Sequence, residues 1–189
     1  MFKSDKVIVF IILVVVVGIT IGCVCLFFDS DEKVFSKDGM SITLTEDFVE
    51  NEYYGFNAYY DTEEAQVYVM KESFSLLKEN NQPTNISTKE YAKIMMETQN
   101  LNADIVEEEG LTYFYYEKDV LGYAEEYVKN SYYAVAFKTD DAFWLFQFAC
   151  EKNSFSEYEE KFIKWAKSVD FDWLYIVLRY LFDKDIIIK

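Results

Sequence analysis

The chain has no histidine and a single proline, and its 18 basic residues are outnumbered by 34 acidic ones. Each shortage closes a class of function. Without histidine, the commonest general base and the commonest zinc ligand are both missing. A formal charge of −16 argues against nucleic-acid binding, because phosphate recognition needs clustered lysine and arginine. With three cysteines, two of them inside an apolar run, there is no disulfide framework; Cys150 stands alone in the polar part of the chain and reads as a core residue. The six glycines build no G-x-G-x-x-G, Walker-type or G-x-S-x-G sequence, so nucleotide and serine-hydrolase readings fall away. What is plentiful is aromatic area. The 17 phenylalanines, 16 tyrosines and 3 tryptophans are far more than a disordered acidic chain carries, so a folded core is expected.

Residues 7–28, VIVFIILVVVVGITIGCVCLFF, contain no charge. At about 1.5 Å per residue a helix of that length spans roughly 33 Å, the thickness of a bilayer core. Lys3 and Lys6 precede the run, and Asp29, Asp31 and Glu32 follow it. The positive-inside rule then leaves residues 1–6 in the cytoplasm and the remainder outside it. The run is too long for a cleaved signal and ends in bulky residues, so it reads as an uncleaved, single-pass signal anchor. Cys23, preceded by Gly22, is a candidate for lipidation, although Thr20 stands where leucine is expected and the residues after Cys23 stay apolar. Gly18 and Gly22 form a G-x-x-x-G pair, a candidate helix-dimer contact.

Residues 29–172 have the length of one domain. Residues 1–28 hold two of the 18 basic and one of the 34 acidic residues, so the rest of the chain carries 16 against 33, a net −17, together with all the tyrosines. Strands are expected at 34–36 and 40–45 around a Lys37-Asp38-Gly39 turn, then at 56–60 and 65–70, with a helical turn at 74–77. A polar loop at 78–85 contains Pro83. Ser87 and Glu90 fit a capping box opening a helix through Tyr91, Ile94 and Met95. Strands follow at 104–107, 111–118, 123–128, 132–138 and 142–150, with turns expected at Leu121-Gly122, Asn130-Ser131 and Asp140-Asp141. In the last of these strands, Trp144, Phe146, Phe148 and Cys150 alternate with Phe143, Leu145 and Ala149, so both faces are buried and layers are required on each side. Ser154 and Glu157 suggest a second capping box, followed by an apolar stripe of Phe155, Tyr158, Phe162, Trp165, Ala166 and Val169. The expected class is α+β, an α/β sandwich on a mostly antiparallel sheet.

This order of elements, with FSKDGMSITLT early, YFYYEK in the middle, FWLFQFACE in the late strand and FIKWAKSVDF at the close, resembles bacterial members of the PsbP-like, or Mog-type, superfamily. The likeness covers residues 34–172 and rests on pattern. It implies a PsbP-like sandwich, frequent membrane anchoring and a leaning toward protein binding, and it assigns no active-site residue. The apolar extension at 173–189, beginning WLYIVLRYLF, falls outside that pattern and is too short for a second span.

No residue is assigned to catalysis, a metal or a cofactor. Glu117, Asp119, Glu125 and Glu126 on adjacent strands are the nearest approach to the carboxylate pair of a glycan hydrolase, the alternative reading, and a solvated sheet face is the simpler account. Glu107-Glu108-Glu109 before Gly110 lacks calcium-loop spacing and reads as a hairpin tip. The candidate binding surface is aromatic: Tyr113, Tyr115, Tyr123, Tyr127 and Tyr132, since tyrosine on a sheet serves interfaces as well as packing. The expected function is a membrane-anchored, extracytoplasmic, non-enzymatic module that binds a protein or an envelope component.

Overall fold

The computed structural model describes residues 32–121 and 126–171. The expected span at 7–28, with Gly18, Gly22 and Cys23, and the extension at 173–189 lie outside the described residues. Among the described residues no helix is long and apolar enough to cross a membrane.

Among the described residues, seven antiparallel strands form one sheet in the order β3-β4-β5-β9-β8-β7-β6, and β1 and β2 form a separate two-stranded sheet. The strands are β1 (Glu32–Lys37), β2 (Met40–Thr45), β3 (Val49–Asn51), β4 (Ala58–Asp61), β5 (Ala65–Ser73), β6 (Val106–Glu108), β7 (Leu111–Leu121), β8 (Tyr127–Lys138) and β9 (Ala142–Glu151). Three α-helices accompany them among the described residues: α1 (Phe74–Glu79), α2 (Thr88–Thr98) and α3 (Phe155–Lys167). Two of the hairpins turn on two residues. Asp38 and Gly39 join β1 to β2, and Glu109 and Gly110 join β6 to β7, all four at positive φ. Positive φ at both central positions is the twist a two-residue hairpin requires, and glycine meets it without steric cost.

The central strand β9 divides the core in two. Trp144, Phe146, Phe148 and Cys150 face a cluster made by β1, β2 and α3, including Phe35, Ile42, Leu44, Phe162 and Trp165. Phe143 and Leu145 face the opposite cluster, built from Tyr91, Ala92, Met95 and Met96 of α2. The tyrosine at the first turn of α2 stacks on Phe143 with ring centroids 4.5 Å apart. The α2 capping box is formed: the Ser87 hydroxyl accepts from the Glu90 amide, and the Glu90 carboxylate accepts from the Ser87 amide at 2.8 Å.

Several local expectations change. Asn130-Ser131 is not a turn. Ser131 pairs with Glu117 on one side and Cys150 on the other, and Asn130 pairs with Lys118 and Glu151. Two ladders hold these residues extended and outweigh their turn preference, so the separate strand expected at 123–128 ends, in its described part, as the start of β8. β7 is correspondingly longer than expected, reaching Leu121. Ser154 does not cap α3 through its side chain. It closes a 3-10 turn, Lys152–Ser154, and its backbone is helical (φ −92°, ψ −6°) rather than the extended conformation an N-cap residue adopts. The three-residue edge strand β3 has too little alternation to be visible in the sequence.

Candidate functional site

The two faces of the sheet are covered differently. On one, α3 and the β1-β2 hairpin seal the surface from β4 to β8. On the other, α1 and α2 cover the end marked by Phe143 and Leu145. No described helix covers the other end of that face, where strand alternation places Tyr59, Gln66, Tyr68, Gln147, Ala149, Tyr132 and Tyr116 across five neighbouring strands.

These side chains form a platform of two ring groups, with the buried Gln147 and Ala149 of β9 between them. Tyr59 and Tyr68 are directly paired across β4 and β5, with ring centroids 4.9 Å apart. Tyr53, from the β3-β4 loop, lies edge-on to Tyr68 at 5.5 Å and tilted to Tyr59 at 5.1 Å. Phe56 closes the group at 5.1 Å from Tyr68. Across β8 and β7, Tyr132 stacks on Tyr116 with centroids 4.5 Å apart and planes 4° from parallel. The Tyr116 hydroxyl donates to Gln147 Oε1 at 2.5 Å, which satisfies the one polar residue in the middle of β9. Tyr53 is 51% exposed and its neighbour Tyr54 fully so, which makes this loop the solvent side of the platform.

Within the platform, Tyr68 and Tyr116 are neutral phenols. Burial, followed by the neighbouring Tyr59, Tyr132 and Tyr53, holds the Tyr68 hydroxyl well above the ordinary tyrosine range. Burial and Tyr132 do the same to Tyr116. Such groups stay protonated at physiological pH and both donate and accept hydrogen bonds, while their rings offer flat apolar area. That chemistry suits stacking and hydrogen-bonded recognition rather than proton transfer.

The sequence-derived tyrosines do not form one surface. Tyr113 and Tyr115 lie on the α3 face, where both pack on Tyr133 and Tyr115 also meets Phe155 edge-on at 5.7 Å. The Tyr133 hydroxyl there has no hydrogen-bond partner among the described residues, so its phenol serves as ring volume. Tyr132 belongs to the platform. Tyr127 is 77% exposed at the start of β8, and Tyr123 lies outside the described residues. Tyr53, Tyr59 and Tyr68 were the residues that sequence reasoning missed. The signal was present in β5, where Gln66, Tyr68 and Met70 alternate with the fully buried Ala65, Val67 and Val69. An aromatic placed on the polar phase of a strand marks a face that the core does not claim.

The carboxylates are dispersed. Glu117 accepts from Lys152 at 2.7 Å with Lys129 at 4.0 Å, and the Lys152 bond holds it below the ordinary carboxylate range. A hydrolytic acid needs the opposite shift. Glu126 is exposed, and Glu125 lies outside the described residues. In the 107–109 run, Glu107 pairs with Lys89 at 2.7 Å and Glu109 with Lys167, as expected of a hairpin tip. No group of three potential metal ligands exists among the described residues. Cys150 is fully buried and its thiol is pushed up to about 11 by burial and then Glu151, which leaves it an inert core group. A cavity of about 340 Å³ beside α2 is lined by the charged Lys89, Lys93, Glu97 and Asp104 as well as by Met96, Leu101, Ala103 and Ile105.

No protein-family model matches the chain, and no curated protein matches it in sequence. Solved structures do match its fold. The solution structure of cyanobacterial PsbP (CyanoP) from Synechocystis sp. PCC 6803 aligns with a TM-score of 0.51 at 11% identity, over 76% of this chain and 94% of that one. A crystal structure from Bacteroides thetaiotaomicron VPI-5482 aligns with a TM-score of 0.50 at 13% identity, over 76% of this chain and 48% of that longer one. The fold is therefore PsbP-like, an α+β architecture on a mostly antiparallel sheet.

Proposed function

We propose that the protein is a membrane-anchored, extracytoplasmic binding module without catalytic activity, and that the tyrosine platform on the half-covered sheet face is its binding surface. The observation that carries this reading is the platform itself. Two groups of rings lie there, Tyr53, Phe56, Tyr59 and Tyr68 beside an exposed loop and, across β9, the half-buried Tyr116 stacked on the buried Tyr132. Clustered aromatic area that reaches the surface, as at Tyr53, is uncommon in a monomer unless something binds there. The PsbP-like fold is compatible with such a role, since fold fixes architecture and the site decides function. The anchoring rests on the uncharged run at 7–28 and on the lysines before it and carboxylates after it.

The test has two arms. Protease added to sealed spheroplasts removes the domain while leaving the first residues protected, if the orientation is right; complete protection contradicts it. Affinity purification of the full chain from native membranes is then repeated with Tyr53→Ser and Tyr68→Ser. A specific partner recovered with the parent and lost with both variants supports the platform, and one retained by both removes it.

A further inference from the structure

A slot runs along one flank of α2. Just past the helix, Asn100 takes a positive φ of 54° and the Leu101 amide donates to the Met96 carbonyl at 2.9 Å, which turns the chain back on itself. Residues 101–105 return beside the helix, and Lys89, in its first turn, donates to Glu107 just beyond them at 2.7 Å. The cavity of about 340 Å³ lies between these two walls and has the volume of a small-ligand site. Its floor is apolar: Met96 belongs to the core cluster under α2, and Leu101, Ala103 and Ile105 pack against that cluster. Its rim carries two charges of each sign, Lys89 and Lys93 toward the start of α2, Glu97 toward its end and Asp104 on the returning chain. Lys93 and Glu97 are 3.8 Å apart with side chains 69% and 66% exposed, a weak surface pair. The returning wall has a second property. The amides and carbonyls of residues 102–105 meet no hydrogen-bond partner among the described residues, although the side chains of Ala103 and Ile105 are packed on the core.

We propose that this slot is a second binding site, separate from the tyrosine platform, and that it takes a short apolar peptide with both termini free. Three features choose that class. Unpaired main-chain groups along one wall suit a ligand that brings amides and carbonyls of its own, as in other peptide grooves. The apolar floor suits aliphatic side chains, whose burial is favourable in proportion to the area removed from water. A rim with two charges of each sign gives a ligand of one sign no net attraction, whereas a dipolar ligand sets its carboxylate toward Lys93 and its ammonium toward Glu97 and Asp104. The helix also sets the length. From Lys89 to Glu97 it rises about 12 Å, which matches about three to four residues of extended peptide. Lys89 stays with Glu107 at 2.7 Å and closes one end, while the longer Lys93 to Glu97 contact is the one that the ligand's termini replace. Other occupants fit less well. A segment inside a longer chain brings no termini to the rim, and a purely hydrocarbon ligand leaves the main-chain groups of the wall unpaired.

The full chain in lipid nanodiscs is probed by residue-resolved, millisecond hydrogen exchange with trileucine, and with trileucine acetylated at one end and amidated at the other. At about ten times its dissociation constant, free trileucine slows exchange of at least two of the amides of residues 102–105 about tenfold, by mass action, and the doubly blocked form binds several-fold more weakly. Ala103→Phe fills the floor of the slot and abolishes the protection, with an unchanged thermal midpoint showing that the domain is folded. Lys93→Gln, an exposed change, weakens the free peptide several-fold and leaves the C-amidated peptide unaffected; an equal loss for both overturns the placing of the carboxylate. Protection that survives Ala103→Phe but is lost in Tyr68→Ser moves the peptide to the platform, overturning the slot while leaving the binding module standing. Absence of protection at millimolar trileucine, or equal affinity for the free and blocked forms, also overturns it.

Discussion

The two faces of the sheet use the same aromatic residues for different ends. On the α3 face, rings are buried against other rings: Phe162 lies 5.8 Å from Phe148 and 5.7 Å from Trp165, and all three are 3% exposed or less. On the α2 face, the first half is closed in the same way by Tyr91 on Phe143, and the second half carries hydroxylated rings whose polar ends are used. The contrast teaches how to separate packing from recognition in a tyrosine-rich chain. A tyrosine whose hydroxyl is buried without a partner, like Tyr133, acts as a phenylalanine; one whose hydroxyl is bonded at an incompletely covered face is available for a ligand.

The largest expected effect lies on the sealed face. Phe162→Ala removes a ring from the centre of the α3 cluster and lowers stability by about 3–5 kcal/mol, the usual cost of emptying a packed aromatic site, measurable as a shift in urea midpoint at unchanged slope. Next comes the polar contact at the edge of the platform. Tyr116→Phe keeps the stack on Tyr132 but leaves Gln147 Oε1 without its donor, and costs about 1–3 kcal/mol. If the two substitutions cost the same, the faces are not distinct in the way described.

The cap of α2 gives a smaller effect with a pH signature. Ser87→Ala costs about 1 kcal/mol. The Ser87 amide, and then its hydroxyl, hold the Glu90 carboxyl below its ordinary value of 4.5. A carboxyl depressed by folding contributes stability that is full above its unfolded value and is lost as pH falls through its folded one. Glu90→Gln therefore flattens the part of the acid-side decline in thermal midpoint that belongs to this group; an unchanged profile contradicts the capping-box assignment. The smallest effect is at the fully exposed Tyr54, where Tyr54→Ser changes stability by less than about 0.5 kcal/mol, so any binding it loses is due to contact with the partner.

Much of this architecture is legible in the chain because local rules agree with the fold. Lys37-Asp38-Gly39, the Ser87 to Glu90 box and the double alternation of β9 each carry their own physical signature, and each is realised in the structure. Asn130-Ser131 misleads because pairing on both sides holds polar residues extended, which only the assembled sheet makes visible. The platform was harder to read. Tyr113, Tyr115 and Tyr132 are close in sequence, yet strand alternation separates them onto opposite faces, while Tyr53, Tyr59 and Tyr68 join Tyr132 only because β5 pairs with β9 and β9 with β8. Long-range register decides the site, and no short window of sequence contains it.

The most direct measurement places a photo-crosslinking residue, Tyr53→p-benzoylphenylalanine, on the platform and, in a second version, Lys161→p-benzoylphenylalanine on the exposed side of α3, each in the full chain in native membranes. The expected result is a discrete cross-linked partner from position 53 that is absent from position 161 and is lost when Tyr68→Ser is added. A partner captured from position 161 and not from position 53 would contradict it.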